Sequence, residues 1–178
     1  ISGKKRINEV YFKGKYAYLA TGLGIIVFDT EKLEVKDTYI IGPNGTNLEV
    51  YQITMNDSLI FAATPNALYR ANHKLKILNN YNNWKVVTQI PAGVYSGVVN
   101  VQDKIIAAYS PSKLSPGSLI DTLYSLINNV WSRYTPPTPN LIKKLSYVDG
   151  SLFTVIAQFG PLVIDVHTKI SQVYITTY

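Results

Sequence analysis

Residues 16 to 29 read YAYLATGLGIIVFD and set Gly22-Leu23-Gly24 between two apolar runs. A glycine pair behind a strand can bring backbone N–H groups against a phosphate at the start of a helix. A dinucleotide fingerprint needs a third glycine and a following helix, whereas Gly24 leads into Ile25-Ile26-Val27-Phe28, a strand pattern. The pair is therefore read as a hairpin turn. The two histidines, His73 and His167, lack the close spacing of a metal-binding pair and are read as surface or structural residues. Asp29 and Asp165 could pair as acid and base, but they close matching strands of two similar segments, which points to turn chemistry. No Gly-x-Ser-x-Gly elbow supports a serine nucleophile, and the absence of cysteine excludes thiolate chemistry and disulfides. The chain is thus read as no enzyme, with no catalytic, metal or cofactor-binding residue and no cofactor.

Binding is the remaining chemistry. Trp84 and Trp131 could stack on sugar rings, but both fall in predicted outer strands, where aromatics serve packing equally well. Ligand-binding residues are left unassigned. The net charge of +6, with Lys4-Lys5-Arg6 at the start and Lys143-Lys144 late, permits an anionic partner. A diffuse excess of this size, without an RNA-binding aromatic signature, does not mark a nucleic-acid groove, so no nucleic acid is expected.

The elements that would position such residues follow from a repeat. Aligning Ala20-Thr21 with Ala63-Thr64 sets Val10 over Ile53, Phe12 over Met55, Tyr18 over Phe61 and Ile25 over Leu68 without a gap. Related segments run from Gly97 to Ser110 and from Leu145 to Ala157, and the turn markers Gly14, Asp57, Asp103 and Gly150 stand 43, 46 and 47 residues apart. Gly24-Ile-Ile-Val-Phe-Asp29 also lies over Gly160-Pro-Leu-Val-Ile-Asp165. Each unit holds four short runs rich in Val, Ile, Tyr, Phe and Thr, cut by Gly, Asn, Asp and Pro. Strands are predicted at 8–12, 16–21, 24–29 and 35–41; at 49–55, 58–64, 67–72 and 83–89; at 94–101, 104–110, 121–127 and 129–135; and at 142–148, 151–158, 160–166 and 169–176. A helix from Leu119 to Val130 is the one competitor, and its Asn128-Asn129 favours a hairpin instead.

Four-stranded units at this period mark an all-β propeller. About four blades are expected, at 7–41, 47–90, 92–136 and 139–178, in a single, partial domain over 1–178. A β-sandwich is the runner-up, but it would need no repeat. No feature locks the first blade to the last, so a fragment of a larger ring is expected, self-associating through the exposed apolar faces of its end blades. With 178 residues and no apolar run long enough for a membrane helix, the chain is read as soluble. Its start, Ile1 to Arg6, has no signal-peptide core.

Ile7-Asn-Glu-Val-Tyr-Phe12, Ala17-Tyr-Leu-Ala-Thr21, Gly24 to Asp29 and above all Lys36-Asp-Thr-Tyr-Ile-Ile-Gly-Pro-Asn-Gly45 resemble the amino-terminal propeller of PorZ-like proteins of Bacteroidetes. That family is related in its blades to two-component-regulator propellers. The resemblance covers residues 7–72 and is looser from 73 onward, and Pro65-Asn66-Ala67 departs from the family's glycine-type turn. It implies an exported component of the type IX secretion system, in the periplasm or at the outer membrane and cell surface, within the complex that attaches cargo to anionic lipopolysaccharide. The implied role is binding or delivery of that lipopolysaccharide and scaffolding of other secretion proteins, without catalysis. A periplasmic ligand-sensing propeller of a hybrid two-component regulator is the alternative, and a propeller hydrolase or lyase is disfavoured by the scarcity of His and acids. Asn44-Gly-Thr46 and Asn56-Asp-Ser58 match the N-glycosylation pattern, read as fortuitous in a bacterial protein.

Overall fold

A computed structural model describes residues 6–75, 77–111, 121–134, 142–156, 160–164 and 171–173. Among the described residues sixteen strands form four antiparallel four-stranded sheets, each pairing its strands in chain order. The first blade holds β1 (Ile7–Lys13), β2 (Tyr16–Thr21), β3 (Gly24–Asp29) and β4 (Glu34–Tyr39); the second holds β5 (Gln52–Met55), β6 (Leu59–Ala63), β7 (Leu68–Asn72) and β8 (Lys85–Val86). The third holds β9 (Val94–Val101), β10 (Lys104–Ser110), β11 (Thr122–Ile127) and β12 (Val130–Tyr134); the fourth holds β13 (Ile142–Val148), β14 (Ser151–Ile156), β15 (Gly160–Ile164) and β16 (Ser171–Val173). The inner strands meet in succession, β1 on β5, β5 on β9 and β9 on β13. The arrangement is the expected propeller of four blades.

Turn chemistry explains why the repeat folds this way. Gln102-Asp103, Asn128-Asn129 and Asp149-Gly150 each place two successive residues at positive φ, the backbone of a two-residue hairpin whose twist matches its strands. Asn128-Asn129 thereby ends the helical alternative, since Leu126 pairs with Trp131 across that turn. The second blade solves the same turn differently, with Asn56 Oδ1 accepting from the N–H groups of Ser58 and Leu59. The outer strand predicted at 83–89 shrinks to Lys85–Val86, because Tyr81–Asn83 forms a 3-10 turn under the side chain of Asn80.

Burial on both faces accounts for the apolar middle strands. Ala20, Ile25, Val27 and Tyr39 pack with Ile53, Met55, Ile60 and Ala62 between the first two blades. Phe61, Ala63 and Leu68 pack with Val98, Ile105 and Ala107 between the second and third, and Ile106, Ala108 and Leu123 with Leu145, Leu152 and Leu162 between the third and fourth. Each fully buried Ile, Leu, Val, Phe or Met among them contributes roughly 1.5–3 kcal/mol, and each Ala much less.

Gly24 opens β3 at φ +131°, and a Cβ there would run into the carbonyl oxygen of Tyr39 in β4. Gly24→Ala combines a backbone conformation closed to L side chains with that clash, so thermal unfolding is expected to report a loss of about 1–3 kcal/mol. An unchanged midpoint would show that the β3–β4 edge yields freely.

Candidate functional site

One position of the repeat comes together on the propeller axis. Strand pairing sets Glu9 opposite Ala20, Gln52 opposite Ala63, Gly97 opposite Ala108 and Lys144 opposite Val155. These equivalent residues stand 43, 45 and 47 apart, so the third and fourth turn markers of the sequence, Asp103 and Gly150, each lie one residue later in their blades than Gly14 and Asp57. Each sits on an innermost strand.

Gln52 is the hub. Its amide is buried, and Nε2 donates to Glu9 Oε1 at 2.6 Å in the first blade and to the Leu145 carbonyl at 2.8 Å in the fourth. Its Oε1 accepts the backbone N–H of Val98 in the third blade at 3.0 Å. One side chain thus ties all four sheets together. The absence of a side chain at Gly97 makes room for it, since a Cβ there would come within 2.6 Å of Gln52 Oε1.

Glu9 repeats the device one blade earlier. Its Oε2 accepts the N–H of Ile53 at 2.8 Å, joining β1 to β5. Burial pushes the Glu9 carboxyl above its ordinary value, while the hydrogen bonds from Ile53 and Gln52 and the charge of Lys144 pull it back. Asn100 on β9 donates to the Met55 carbonyl at 2.8 Å and keeps Oδ1 buried with no partner among the described residues.

These side chains wall a cavity of about 350 Å³ reached by all four inner strands, with Tyr11, Thr54, Ser146 and Tyr147 beside Glu9 and Lys144. Both Glu9 oxygens are already engaged, and no neighbour offers a nucleophile poised against a base. Among the described residues no group of three or more His, Asp or Glu could hold a metal ion. The arrangement offers polar contacts to a small group held on the axis.

The residues singled out in the sequence lie elsewhere. Asp29 forms the turn after β3, with Oδ1 accepting from Glu31 and Lys32 and Oδ2 paired to Lys15 at 3.1 Å. His73 Nε2 lies 2.9 Å from the Asn56 carbonyl oxygen and 3.3 Å from Lys13 Nζ, at the junction of the first two blades. Asp165 and His167 fall outside the described residues. Trp84 is buried, with its indole N–H on the Leu78 carbonyl and its ring against Tyr39, so it is core and not a stacking platform. Trp131, on β12, meets Phe61 edge to face across the second seam. Sequence reasoning missed Gln52, although a visible signal was available: Glu9 and Gln52 fall at one repeat position, on strands whose other members are largely apolar.

The family described as the N-terminal β-propeller domain of PorZ, of the type IX secretion system, matches residues 1–85. No curated protein matches the chain. Among solved structures, PorZ, an essential bacterial surface component of the type-IX secretion system of Porphyromonas gingivalis, superposes with a TM-score of 0.51 at 13% identity over 97% of this chain and 26% of PorZ. The extracellular domain of a hybrid two-component system of B. thetaiotaomicron gives 0.62 at 12% identity over 97% of this chain and 22% of that one. The computationally designed Ika8 protein gives 0.57 at 8% identity over 95% of this chain and 48% of its own. At such identities the likeness is one of fold, and the chain spans about a quarter of the two natural proteins. Over residues 1–85, then, this chain is similar in sequence to the PorZ amino-terminal propeller family, and its described residues have the propeller fold.

Proposed function

We propose that the chain is a non-catalytic propeller module of an exported, cell-surface-associated component of the type IX secretion system. The family match over residues 1–85 carries this reading. In that role it scaffolds other secretion proteins and binds or delivers anionic lipopolysaccharide, to which the +6 balance is suited. The axial cavity supports binding over catalysis, since its one carboxylate is spent on cross-blade hydrogen bonds.

Titration calorimetry with anionic and with neutral lipopolysaccharide tests the ligand. Tighter binding of the anionic form, weakening as salt rises, is expected; equal weak binding of both removes the glycan from the proposal. A second reading, a ligand-sensing periplasmic propeller of a hybrid two-component regulator, is favoured by the 0.62 superposition. The full reading frame separates the two, because a β-sandwich sorting domain belongs to the first and a membrane helix followed by a kinase to the second.

A further inference from the structure

The seam between the second and third blades gathers cations without acids. Phe61 of β6 and Leu126 of β11 pack within it, and Trp131 meets Phe61 with ring centroids 6.2 Å apart. Residues paired across antiparallel strands send their side chains to the same side of the sheet. Arg70 pairs with Phe61 and Lys85 with Arg70, so both side chains leave the second blade toward the third. Arg133 pairs with Tyr124, which packs against the same cluster, so its side chain leaves the third blade toward the second. None of the strands β5 to β12 contains an Asp or Glu. Among the described residues Arg70, Lys85 and Arg133 form no ion pair, whereas Lys15 of the first blade is paired to Asp29. Lys85 and Arg133 are exposed, and Arg70, Tyr124 and Trp131 are half-buried. The outer strand of the second blade supplies only Lys85–Val86 against Val130–Tyr134 of the third, which leaves the rim of the seam open beside Trp131.

We infer that this rim is a binding site for an acidic saccharide, with Arg70, Lys85 and Arg133 on its carboxylate or phosphate groups and Trp131 against a sugar ring. The inference deepens the glycan reading above and rests on it for the source of the ligand. Cations gathered on one seam with no acid between them repel one another, and a bound anion relieves that repulsion. Two of the three are guanidinium groups, planar forks that hold carboxylate or phosphate oxygens in pairs. A seam also focuses their field more than a flat surface would, because its packed apolar walls exclude water. Trp131 supplies a flat aromatic surface fixed in place by the wholly buried Phe61. An acidic sugar uses both parts of the site, its charge on the cations and its C–H face on the indole. An acidic peptide would engage the cations and leave the indole idle.

Tryptophan emission tests this, because Trp84 and Trp131 are the only two tryptophans and Trp84 is buried. Titration with trigalacturonate is expected to change the Trp131 emission saturably, and the neutral sugar maltotriose is expected to leave it unchanged. Arg133→Gln is expected to weaken trigalacturonate binding about ten-fold, the loss of one charge-assisted contact. Arg133 is exposed, so an unchanged thermal midpoint is expected to show that variant folded. Lys36→Gln removes the same charge from the first blade and is expected to leave binding as it was. Anionic lipopolysaccharide is expected to displace trigalacturonate, which would trace the acidic sugar to a lipid-linked glycan. Absence of a saturable change overturns the inference, as does an equal loss in Arg133→Gln and Lys36→Gln, which would mean net charge alone. Hexaglutamate binding as tightly as trigalacturonate also overturns it, in favour of an acidic peptide. If calorimetry shows lipopolysaccharide binding that Arg133→Gln does not weaken, this site fails and the glycan reading stands. Saturable binding of trigalacturonate without any of lipopolysaccharide upholds the site and removes that reading.

Discussion

Replacing Gln52 with methionine is expected to destabilise the chain by about 3–5 kcal/mol, a loss of unsatisfied polar groups rather than of volume. Methionine fills nearly the same space but leaves the Val98 N–H, the Leu145 carbonyl and one Glu9 oxygen without their partner. Each such group costs about 1–3 kcal/mol when buried, and partial relaxation keeps the total below the sum. For a chain of this length the midpoint of thermal unfolding falls by roughly 2–4 °C per kcal/mol, a shift on the order of 10 °C here. Gln52→Glu keeps shape and polarity yet loses both donated bonds and sets a second carboxylate against Glu9, so it is expected to do at least as much harm at neutral pH. Gly97→Ala pushes a methyl group against Gln52 Oε1. Combined with Gln52→Met, it is expected to cost less than the two changes add up to, because the bond it disturbs is already gone. Full additivity, or a Gln52→Met midpoint within a few degrees of the unsubstituted chain, would show that the axis is held by apolar packing alone.

The hub also shows where sequence reading reaches and where it stops. Strand positions were legible because turn residues and apolar runs are local signals, and 104–110 and 160–166 return nearly unchanged as β10 and β15. The meaning of Asp29 was legible for the same reason, since its partners Glu31 and Lys32 lie within three residues. Gln52 was not, because its partners lie 43, 46 and 93 residues away and are joined only by closure of the sheets around an axis. A gap-free repeat aligns such residues but does not reveal which of them point inward. The shortened β8 escaped for a related reason: Trp84 reads as a strand residue, yet its place is set by the Leu78 carbonyl and the Tyr39 ring, and Tyr39 belongs to the preceding blade.

Asp121 carries the second large expectation, at the seam between the third and fourth blades. The residue is fully buried, with Oδ1 accepting from the Ser110 hydroxyl and Oδ2 accepting the backbone N–H of Ile142 at 2.6 Å, at the first residue of β13. Asp121→Ala removes both acceptors and is expected to cost about 2–4 kcal/mol, chiefly from the stranded Ile142 N–H. Asp121→Asn is expected to be tolerated within about 1 kcal/mol, because its oxygen can take the Ile142 N–H while its amide donates to a Ser110 hydroxyl that is free to rotate. The same exchange fails at Glu9, whose two partners are both donors held in place, so Glu9→Gln must set an N–H₂ group against one of them. Burial, the largest influence, raises the Asp121 carboxyl above its ordinary 3.8, ahead of the lowering by Ser110, Ile142 and Lys143. Between 3.8 and the raised value the folded chain holds a proton that the unfolded chain has released. Stability from this group is therefore complete below 3.8, is lost as pH rises through the raised value, and is level above it. Urea unfolding across that window is expected to show the unsubstituted chain losing stability relative to Asp121→Asn, whose side chain does not titrate and mimics the protonated acid. Parallel curves for the two proteins would mean that the buried carboxyl ionises as readily in the fold as out of it.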